Sequence, residues 1–466
     1  MKFPLIGGQA EGRATQINAA IMRNWFLAVD PDSISHKVVA YGTHGLKTGV
    51  SVGTGEVRGL YSWNGKLYAV VGNQVYKDVT GTPTSIGSLT TTVGRVAMVH
   101  NSTATAQSGK GLIIADGTQG YIWNDSTFTQ ITDADFPNGT THLTFINQRI
   151  IAFDKDTQSF FYSDLADAST WQALNFQSAE RLPDDITALI ADGNNNVWFL
   201  GPESVEIKTD TGDSNTPFVT FADSSTAIGI IAPHSLARVK GVPFWLDSSK
   251  LISSLQGNVT PPGLAEKIAK YTNVDDAFAF SFEDRENVFY VITFPTEGVT
   301  HVLNQTTGWK WHEWTYWNNA HERHRANCYA KHDGRHYVGD YSNGKVYELD
   351  MDTYKDDGST IVRDIIGGPL EADGKWIFPS YFQVDTKSGV GNSDDENPHL
   401  QISFSKDGGH TYGNELLRPM GKVGEYTRRT IVNRIGRTRS FTVKARLSSP
   451  VEPIIKNAYL EAQISV

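Results

Sequence analysis

Short apolar stretches with the composition of β-strand cores recur along most of the chain. They are rich in Val, Ile, Leu, Phe, Tyr and Trp, which strands favour. Seven of them occupy residues 66–71, 111–116, 149–154, 196–201, 242–247, 287–292 and 335–340. Their first residues lie 45, 38, 47, 46, 45 and 48 positions apart. A strand-rich repeat of about 40 to 50 residues is typical of a β-propeller, in which each repeat forms one blade.

Each apolar core is followed by a polar turn and a second, half-apolar strand. Turn residues such as Gly72 and Asn73, or Asn343 and Gly344, separate the two. Fully apolar strands suit the inner part of a blade, because neighbouring blades cover both of their faces. The pattern predicts an all-β fold with a β-propeller over residues 51–358, of about seven blades, or six if one unit belongs elsewhere. A chance spacing of strands in two β-sandwiches is the alternative.

Two segments fall outside the repeat. Residues 1–50 are polar and irregular around 24–27, and we expect an N-terminal entry segment that packs on the ring or on the C-terminal domain. Residues 359–466 contain further strand patterns and an exposed loop at 387–398, which predicts a C-terminal β-sandwich-like domain. The one helix that the sequence predicts covers residues 263–270.

The bulk composition fits a globular protein that folds in a reducing cytosol. Cys328 is the only cysteine, which excludes an internal disulfide and suits a reducing compartment. The N-terminus has too few apolar residues for a signal peptide. No apolar run approaches the ~18 residues of a membrane helix, so we expect no membrane insertion.

Charge is unevenly distributed. Residues 418–446 carry nine Lys and Arg against the single acid Glu425, about +8, whereas the whole chain is −10. The remaining residues therefore stand near −18. Such a split favours an assembly protein that docks one basic patch on a partner and keeps the rest of its surface anionic.

The basic residues of this segment are candidate docking residues. Guanidinium groups there could pair with carboxylates of a partner or with DNA phosphates, and the alternative is a solvated basic strand face. The candidates are Arg428, Arg429, Arg434, Arg437, Arg439, Lys444 and Arg446.

Other motifs give no support to catalysis, and we expect no catalytic residue, no cofactor and no metal site. Residues 405–412 (SKDGGHTY) fit an Asp-box, which stabilises a hairpin. The tryptophans at 309–317 suit packing between blades, with Trp309 and Trp311 on one strand face; sugar stacking is the alternative. We expect the histidines between 312 and 336 to lie in solvated loops and the acidic residues 350–357 to form a solvated turn.

The C-terminal half of the chain resembles a known family. Residues 421–429 (GKVGEYTRR), 433–439 (NRIGRTR) and 447–450 (LSSP) are similar to the C-terminal signature of the packaged-DNA stabilization proteins, the tail hub or tail accessory factors of short-tailed bacteriophages. Stretches at 24–46, 287–295, 307–309, 338–340 and 344–347 resemble other parts of that family. Ser448 and Ser449 depart from it, since many relatives carry Asp there.

The resemblance implies a structural virion protein that is not an enzyme. It implies a hexameric, homo-oligomeric ring below the portal and the head–tail adaptor, which closes the head, retains the packaged DNA and carries tail fibres or tailspikes and a plug or needle. Double-stranded DNA would pass through the lumen without sequence specificity. An anionic lumen suits this role, because each phosphate held by Lys or Arg adds affinity that slows passage.

Two alternative functions belong to other classes of protein. A sialidase-like glycosidase would carry several Asp-boxes, and a carbohydrate-binding propeller would carry an aromatic pocket in each blade. The sequence shows one box and no repeated pocket motif.

Overall fold

A computed structural model describes residues 1–9, 15, 18–29, 37–180, 183–213, 216–221 and 226–465. Nearly all of its regular structure is β-strand. The first five strands are β1 (Ile21–Arg23), β2 (Trp25–Val29), β3 (Val38–Gly42), β4 (Gly45–Leu46) and β5 (Val50–Ser51). Residues 24–27, expected to be irregular, instead lie in or beside strands, and Trp25 and Phe26 are buried.

Five four-stranded antiparallel sheets follow, one after another along the chain. Blade 1 contains β6 (Val57–Trp63), β7 (Lys66–Val71), β8 (Gln74–Lys77) and β9 (Thr84–Ser88). Blade 2 contains β10 (Ala97–His100), β11 (Leu112–Ala115), β12 (Gly120–Trp123) and β13 (Phe128–Gln130). Blade 3 contains β14 (Thr144–Ile146), β15 (Arg149–Phe153), β16 (Ser159–Tyr162) and β17 (Phe176–Ser178).

Blades 4 and 5 repeat this arrangement. Blade 4 contains β18 (Ala188–Ala191), β19 (Asn196–Leu200), β20 (Val205–Asp210) and β21 (Phe218–Thr220). Blade 5 contains β22 (Ala237–Val239), β23 (Val242–Leu246), β24 (Ile252–Ser254) and β25 (Gly257–Asn258). A 3₁₀ turn (Pro233–Ser235) precedes β22, and the helix α1 (Pro262–Ala269) follows β25, where the sequence predicts it. Within the described residues, no helix has the length and apolar character needed to cross a membrane.

Blades 6 and 7 complete the propeller. Blade 6 contains β26 (Phe278–Asp284), β27 (Asn287–Phe294), β28 (Val299–Asn304) and β29 (Lys310–Trp317), with β30 (His321–Arg323) paired to β29. Blade 7 contains β31 (Ala326–His332), β32 (Arg335–Asp340) and β33 (Lys345–Asp350), followed by β34 (Lys355–Asp356) and β35 (Ser359–Thr360). The N-terminal strands β4 and β5 pair with β33 and supply the outer strand of blade 7.

Apolar clusters between successive blades hold the ring together. Val57 and Leu67 of blade 1 pack with Ala330 and Val346 of blade 7, which closes the circle. Six further clusters join the other neighbouring pairs. The seven apolar cores of the sequence are the second strands of the blades, which are buried because a neighbouring blade covers each face. The predicted propeller is therefore present, with seven blades.

The C-terminal strands form a β-sandwich. They are β36 (Arg363–Ile366), β37 (Leu370–Glu371), β38 (Ile377–Thr386), β39 (His399–Ser405), β40 (Leu416–Pro419), β41 (Thr430–Asn433), β42 (Ser440–Leu447) and β43 (Ile454–Ile464). One sheet has the order β2-β3-β43-β38-β41, and the other contains β1-β36-β42-β39-β40. Phe3 reaches the core between them and meets the rings of Phe382 and Phe441 edge-on, at centroid distances of 5.4 and 5.8 Å.

The propeller and the sandwich share one continuous sheet. Strand β1 pairs in parallel with β29 of blade 6 and antiparallel with β36 of the sandwich, so the ladder runs through both units. Asn24 lies between β1 and β2 with φ of 56°, a left-handed conformation that Asn tolerates well. Its side chain donates to the carbonyls of Thr315 and Val362. This turn sends β1 into one sheet of the sandwich and β2 into the other.

A buried carboxylate reinforces this junction. Glu313 of β29 accepts from Arg23 Nε at 2.7 Å, Lys267 Nζ at 2.5 Å and Gln9 Nε2 at 2.8 Å. Burial alone would raise the pKa of Glu313, but the charges of Lys267 and Arg23 hold it well below its usual range. The N-terminal segment, helix α1 and blade 6 therefore meet at one ionised side chain.

Candidate docking surface

The basic segment runs along the sandwich, from the end of β40 through β41 to β42. Strand β42 alternates, with Phe441, Val443 and Ala445 turned into the sandwich core and Lys444 and Arg446 on the opposite face. The five candidate arginines that precede β42 are exposed, whereas Lys444 and Arg446 are half-buried. The seven candidate residues therefore divide into two groups.

Lys444 and Arg446 have a partner within the chain. Arg446 binds Asp364 of β36 through Nε and Nη2, at 2.7 and 2.8 Å, and Lys444 Nζ lies 4.0 Å from the same carboxylate. His321 Nε2 lies 3.0 Å from it as well. Burial would raise the pKa of Asp364, but Arg446 and His321 hold it far below its usual range. These two basic residues thus neutralise a buried acid beside Trp317, whose ring lies under Arg446 at 5.4 Å.

The other five arginines point into solvent. Arg437 and Arg439 both lie over the ring of Trp376, each with its guanidinium carbon 4.6 Å from the centroid. Arg429 donates to Gln383 Oε1 at 2.6 Å. Arg434 stands at a left-handed position, with φ of 58°. In the part of the chain that the structure describes, these four and Arg428 form no ion pair with a carboxylate.

Exposed apolar side chains accompany them. In the loop 421–429, which we call the docking loop, Val423 is 71% exposed and Tyr426 is 70% exposed. The loop is anchored on its inner side, because Ser388 Oγ donates to the Tyr426 carbonyl at 2.6 Å. Aromatic residues and arginine are enriched in protein–protein interfaces. The composition of the docking loop is therefore that of an interface.

A negatively charged region lies on the side of the propeller that is opposite the sandwich. Residues 125–213, from the end of blade 2 through blade 4, contain fifteen acidic and four basic residues, a net charge of −11. Blade 3 is three positions from blade 6 and three from blade 7, so it lies across the ring from the sandwich. Its outer part exposes apolar residues as well, namely Leu165, Leu174 and Phe176. We call this region the acidic edge.

The Asp-box forms a hairpin turn. Asp407 accepts from the backbone N–H groups of His410 and Thr411 and from the hydroxyl of Ser405. These bonds lower the pKa of Asp407, the bond from Ser405 contributing most. Its oxygens serve the turn itself, which matches the structural role expected for the motif.

The tryptophans of β29 pack between blades. Trp311 lies in the cluster between blades 5 and 6, and Trp314 lies in the cluster between blades 6 and 7. Trp309 precedes the strand in a left-handed conformation, with φ of 64°, and packs against the first cluster. It is therefore not a strand residue, although it reaches the same cluster as Trp311.

The expectation of solvated histidines is wrong. His312, His324, His332 and His336 are buried in or beside strands. Burial lowers the pKa values of His312 and His324 to about 3, so both rings are neutral at pH 7. Among the described residues, no group of three His, Cys, Asp or Glu could hold a metal ion.

The acidic turn is also not simply solvated. Asp356 is buried and accepts from the backbone N–H of Leu46 at 3.3 Å. Asp350 pairs with Lys47 at 3.4 Å, and Asp357 pairs with Lys345 at 2.7 Å. The turn therefore ties the N-terminal strand β4 to blade 7.

The axial channel of the propeller is nearly closed. The first strands of blades 1, 2, 6 and 7, with the residues just before those of blades 3 and 5, surround a cavity of about 280 Å³. His142 before blade 3 and His234 before blade 5 stack within it, with ring centroids 4.9 Å apart. A cavity of this volume is too small to hold a DNA duplex, whose major groove alone is about 12 Å wide.

Comparison with known families accounts for both units. The family profile "Bacteriophage P22 Gp10, beta-propeller" matches residues 1–354, and "Bacteriophage P22 Gp10, beta-sandwich" matches residues 364–463. The chain belongs to the bacteriophage P22 Gp10 family. This is the packaged-DNA stabilization family that the sequence motifs resemble, and the chain is a structural protein of a phage tail.

Two solved structures show low similarity to the chain. PorZ, a surface component of the type-IX secretion system of Porphyromonas gingivalis, matches with a TM-score of 0.37 and 13% identity over 72% of this chain and 44% of its own. The extracellular domain of a one-component system from B. thetaiotaomicron matches with a TM-score of 0.42 and 9% identity over 94% of this chain and 62% of its own. The chain thus spans less than two thirds of either protein. A comparison with curated proteins gave no match.

Proposed function

We propose that the chain is a non-enzymatic ring component of a short-tailed phage virion. Six copies form a homo-oligomeric ring below the portal and the head–tail adaptor. The ring closes the filled head, retains the packaged DNA and carries tail fibres or tailspikes and a plug or needle protein. Membership of the Gp10 family supports a tail role, and the separation of charge between sandwich and propeller supports assembly with other copies.

The observation that carries the proposal is the position of the two charged surfaces. The docking loop and the five exposed arginines lie on the sandwich, and the acidic edge lies across the ring from it. Because they are on opposite sides of one copy, they can meet only between copies. A contact between two different surfaces is heterologous, and it generates a closed ring when the rotation per copy closes.

The shape of the propeller bears on the path of the DNA. Since the histidine stack leaves no room for a duplex in the propeller's own channel, the conduit must be the space that several copies enclose. An anionic lining suits such a conduit, because few Lys or Arg side chains then hold the phosphates. The exposed arginines of the sandwich accordingly face protein partners and stay off the lumen.

Charge reversal tests this arrangement. In the variant Arg434→Glu, Arg437→Glu, Arg439→Glu, three cations of the docking surface become anions that face the acidic edge of the next copy. We expect the ring to dissociate to monomers in light scattering and negative-stain images, both alone and with the adaptor protein. Far-UV circular dichroism should remain unchanged, because the three side chains are exposed.

A matched control places three new acids elsewhere on the propeller. Lys270→Glu, Lys310→Glu, Lys331→Glu changes exposed residues by the same total charge, and this variant should assemble normally. Intact rings, or infectious particles built from the first variant, would contradict the docking role. Loss of assembly in both variants would mean that net charge matters and that this surface does not.

A further inference from the structure

The axial cavity of the propeller is positively charged although the chain is anionic. Strand β6 contributes Arg58 and Tyr61, the residues around β10 contribute Arg95, and β31 contributes Asn327. His142 and His234 supply two imidazoles, and the described residues that line the cavity include no Asp or Glu. With about 280 Å³, the cavity has space for several water molecules or for one small ion with its waters.

Arg95 is the cation that the cavity leaves without a counter-ion. Its guanidinium lies over the ring of Phe278 at 3.5 Å, and Nη2 donates to the Asn327 carbonyl at 2.8 Å and to Asn327 Oδ1 at 3.2 Å. Among the described residues no carboxylate oxygen lies within 4.0 Å of it, and its hydrogen bonds to them use Nη2 alone. Burial lowers the pKa of Arg95 to about 10, so the group is still charged at pH 7.

Arg58 differs, because its donors are already occupied. Nη1 donates to the carbonyls of Gly72 and Thr91, and Nη2 donates to the Val93 carbonyl and the Thr91 hydroxyl. This arginine therefore holds the loop before β10 in place. Arg95, by contrast, bonds the described residues through Nη2 alone, which leaves Nε and Nη1 for a ligand.

The stacked histidines can report on an ion in the cavity. His142 Nε2 lies 3.2 Å from the Pro233 carbonyl, which only accepts, so Nε2 carries the proton and Nδ1 accepts from the Thr141 hydroxyl at 2.9 Å. Burial lowers the pKa of His142 to about 4, and burial together with the charges of His142 and Arg95 lowers that of His234 well below its usual value. A bound anion would favour the protonated rings and raise both pKa values.

The other titratable and charged groups around the cavity already have partners. Two tyrosines form hydrogen bonds to histidines, Tyr61 to His100 and Tyr329 to His336, both at 2.9 Å. Cys328 Sγ lies 3.4 Å from the Val57 carbonyl, and Glu56 accepts from Asn327 Nδ2 at 2.8 Å. The guanidinium of Arg323 lies over the ring of Tyr341 at 3.9 Å.

We propose that this cavity is a binding site for a small inorganic oxyanion of the phosphate or sulfate type. Arg95 is the main ligand, with charge-assisted hydrogen bonds from Nε and Nη1, and Thr141 and His234 line the same cavity. The bound ion would neutralise Arg95 and join blades 2, 3 and 5 at the residues that precede their first strands. The ion would act as the counter-ion of Arg95, since no carboxylate among the described residues lines the cavity.

The test uses the full chain and inorganic phosphate. Calorimetric titration with phosphate, at an ionic strength held constant with chloride, should show one site per chain. Arg95→Met removes the charge and keeps the bulk, and it should weaken binding at least about tenfold, as the loss of a hydrogen bond to a charged group implies. Arg335→Met, which removes an exposed cation of blade 7, should leave the affinity unchanged.

A second measurement uses the wild-type chain alone, so it does not depend on whether a variant folds. In the wild-type chain with ¹³C-labelled histidine, phosphate should shift the ring resonances of His142 and His234 and raise their pKa values, whereas chloride at equal ionic strength should not. The proposal is overturned if the wild-type chain shows no phosphate-specific shift. It is equally overturned if Arg95→Met binds phosphate within tenfold of the wild-type affinity.

Discussion

Replacing Arg446 with Met tests the charge cluster between the sandwich and blade 6. The substitution keeps the aliphatic stem and removes the two bonds of 2.7 and 2.8 Å to Asp364, which is 1% exposed. Breaking a buried ion pair from one side costs about 3 to 5 kcal/mol, because the remaining charge stays buried. Since His321 and Lys444 remain beside Asp364, we expect the lower end, about 3 kcal/mol.

Urea unfolding followed by tryptophan fluorescence measures this change. The variants Arg446→Met, Asp364→Asn and the double substitution form a thermodynamic cycle, from which we expect a coupling energy of about 2 kcal/mol. Asp364→Asn should cost less than Arg446→Met, because it leaves no buried anion. Arg429→Met, on the exposed part of the same segment, is the matched control and should change the free energy of unfolding by less than about 0.5 kcal/mol.

The pH dependence gives an independent check. The pKa of Asp364 is lower in the folded chain than the value of about 3.9 in the unfolded chain. Its contribution is therefore fully present above pH 4 and is lost as the pH falls toward the folded value. The difference between the wild type and Asp364→Asn should shrink over that acidic range. A cost below 1 kcal/mol for Arg446→Met at pH 7, or a coupling energy near zero, would refute the reasoning.

Three further predictions concern the propeller. Trp311→Ala empties the cluster between blades 5 and 6 and should lower the free energy of unfolding by about 3 to 5 kcal/mol in urea titrations. Arg58→Met removes the donors that hold the carbonyls of residues 91 and 93 and should make residues 91–94 the first site of limited proteolysis, whereas Arg335→Met should not. Burial raises the pKa of Asp356 to about 7, above its unfolded value. The free energy of unfolding of the wild type should therefore fall as the pH rises from 4 to 7, by up to about 1.4 kcal/mol per pH unit. If the difference in that free energy between the wild type and Asp356→Asn did not change over this range, the prediction would be wrong.

The repeat could be predicted because the second strand of each blade is covered on both faces and must be continuously apolar. The first strand leaves no such signal; in blade 5, for example, it has only the three residues Ala237–Val239. Strands Gly45–Leu46 and Val50–Ser51 are shorter still. Their place in blade 7 depends on pairing with residues about 300 positions away, which no local pattern encodes.

The candidate site could be predicted only in outline. The high density of Arg identifies the segment in the sequence. Which of its basic residues face solvent and which pair with Asp364 depends on the register of two strands, in which Asp364 lies opposite Arg446. The burial of the histidines could not be predicted either, because it depends on contacts between strands that are distant in the sequence. His324 follows a short polar stretch that reads as a loop, yet blades 6 and 7 enclose it, and its ring lies 5.0 Å from that of Trp314.

The strand Ile21–Arg23 has a mechanical consequence. It is bonded on one side to blade 6 and on the other to the sandwich, so no hinge separates the two units at this seam. A torque applied to the sandwich would reach the propeller through these pairings and through the ion pair of Arg23 with Glu313. If copies assemble as proposed, contacts made by the sandwich would therefore fix the tilt of the propeller as well.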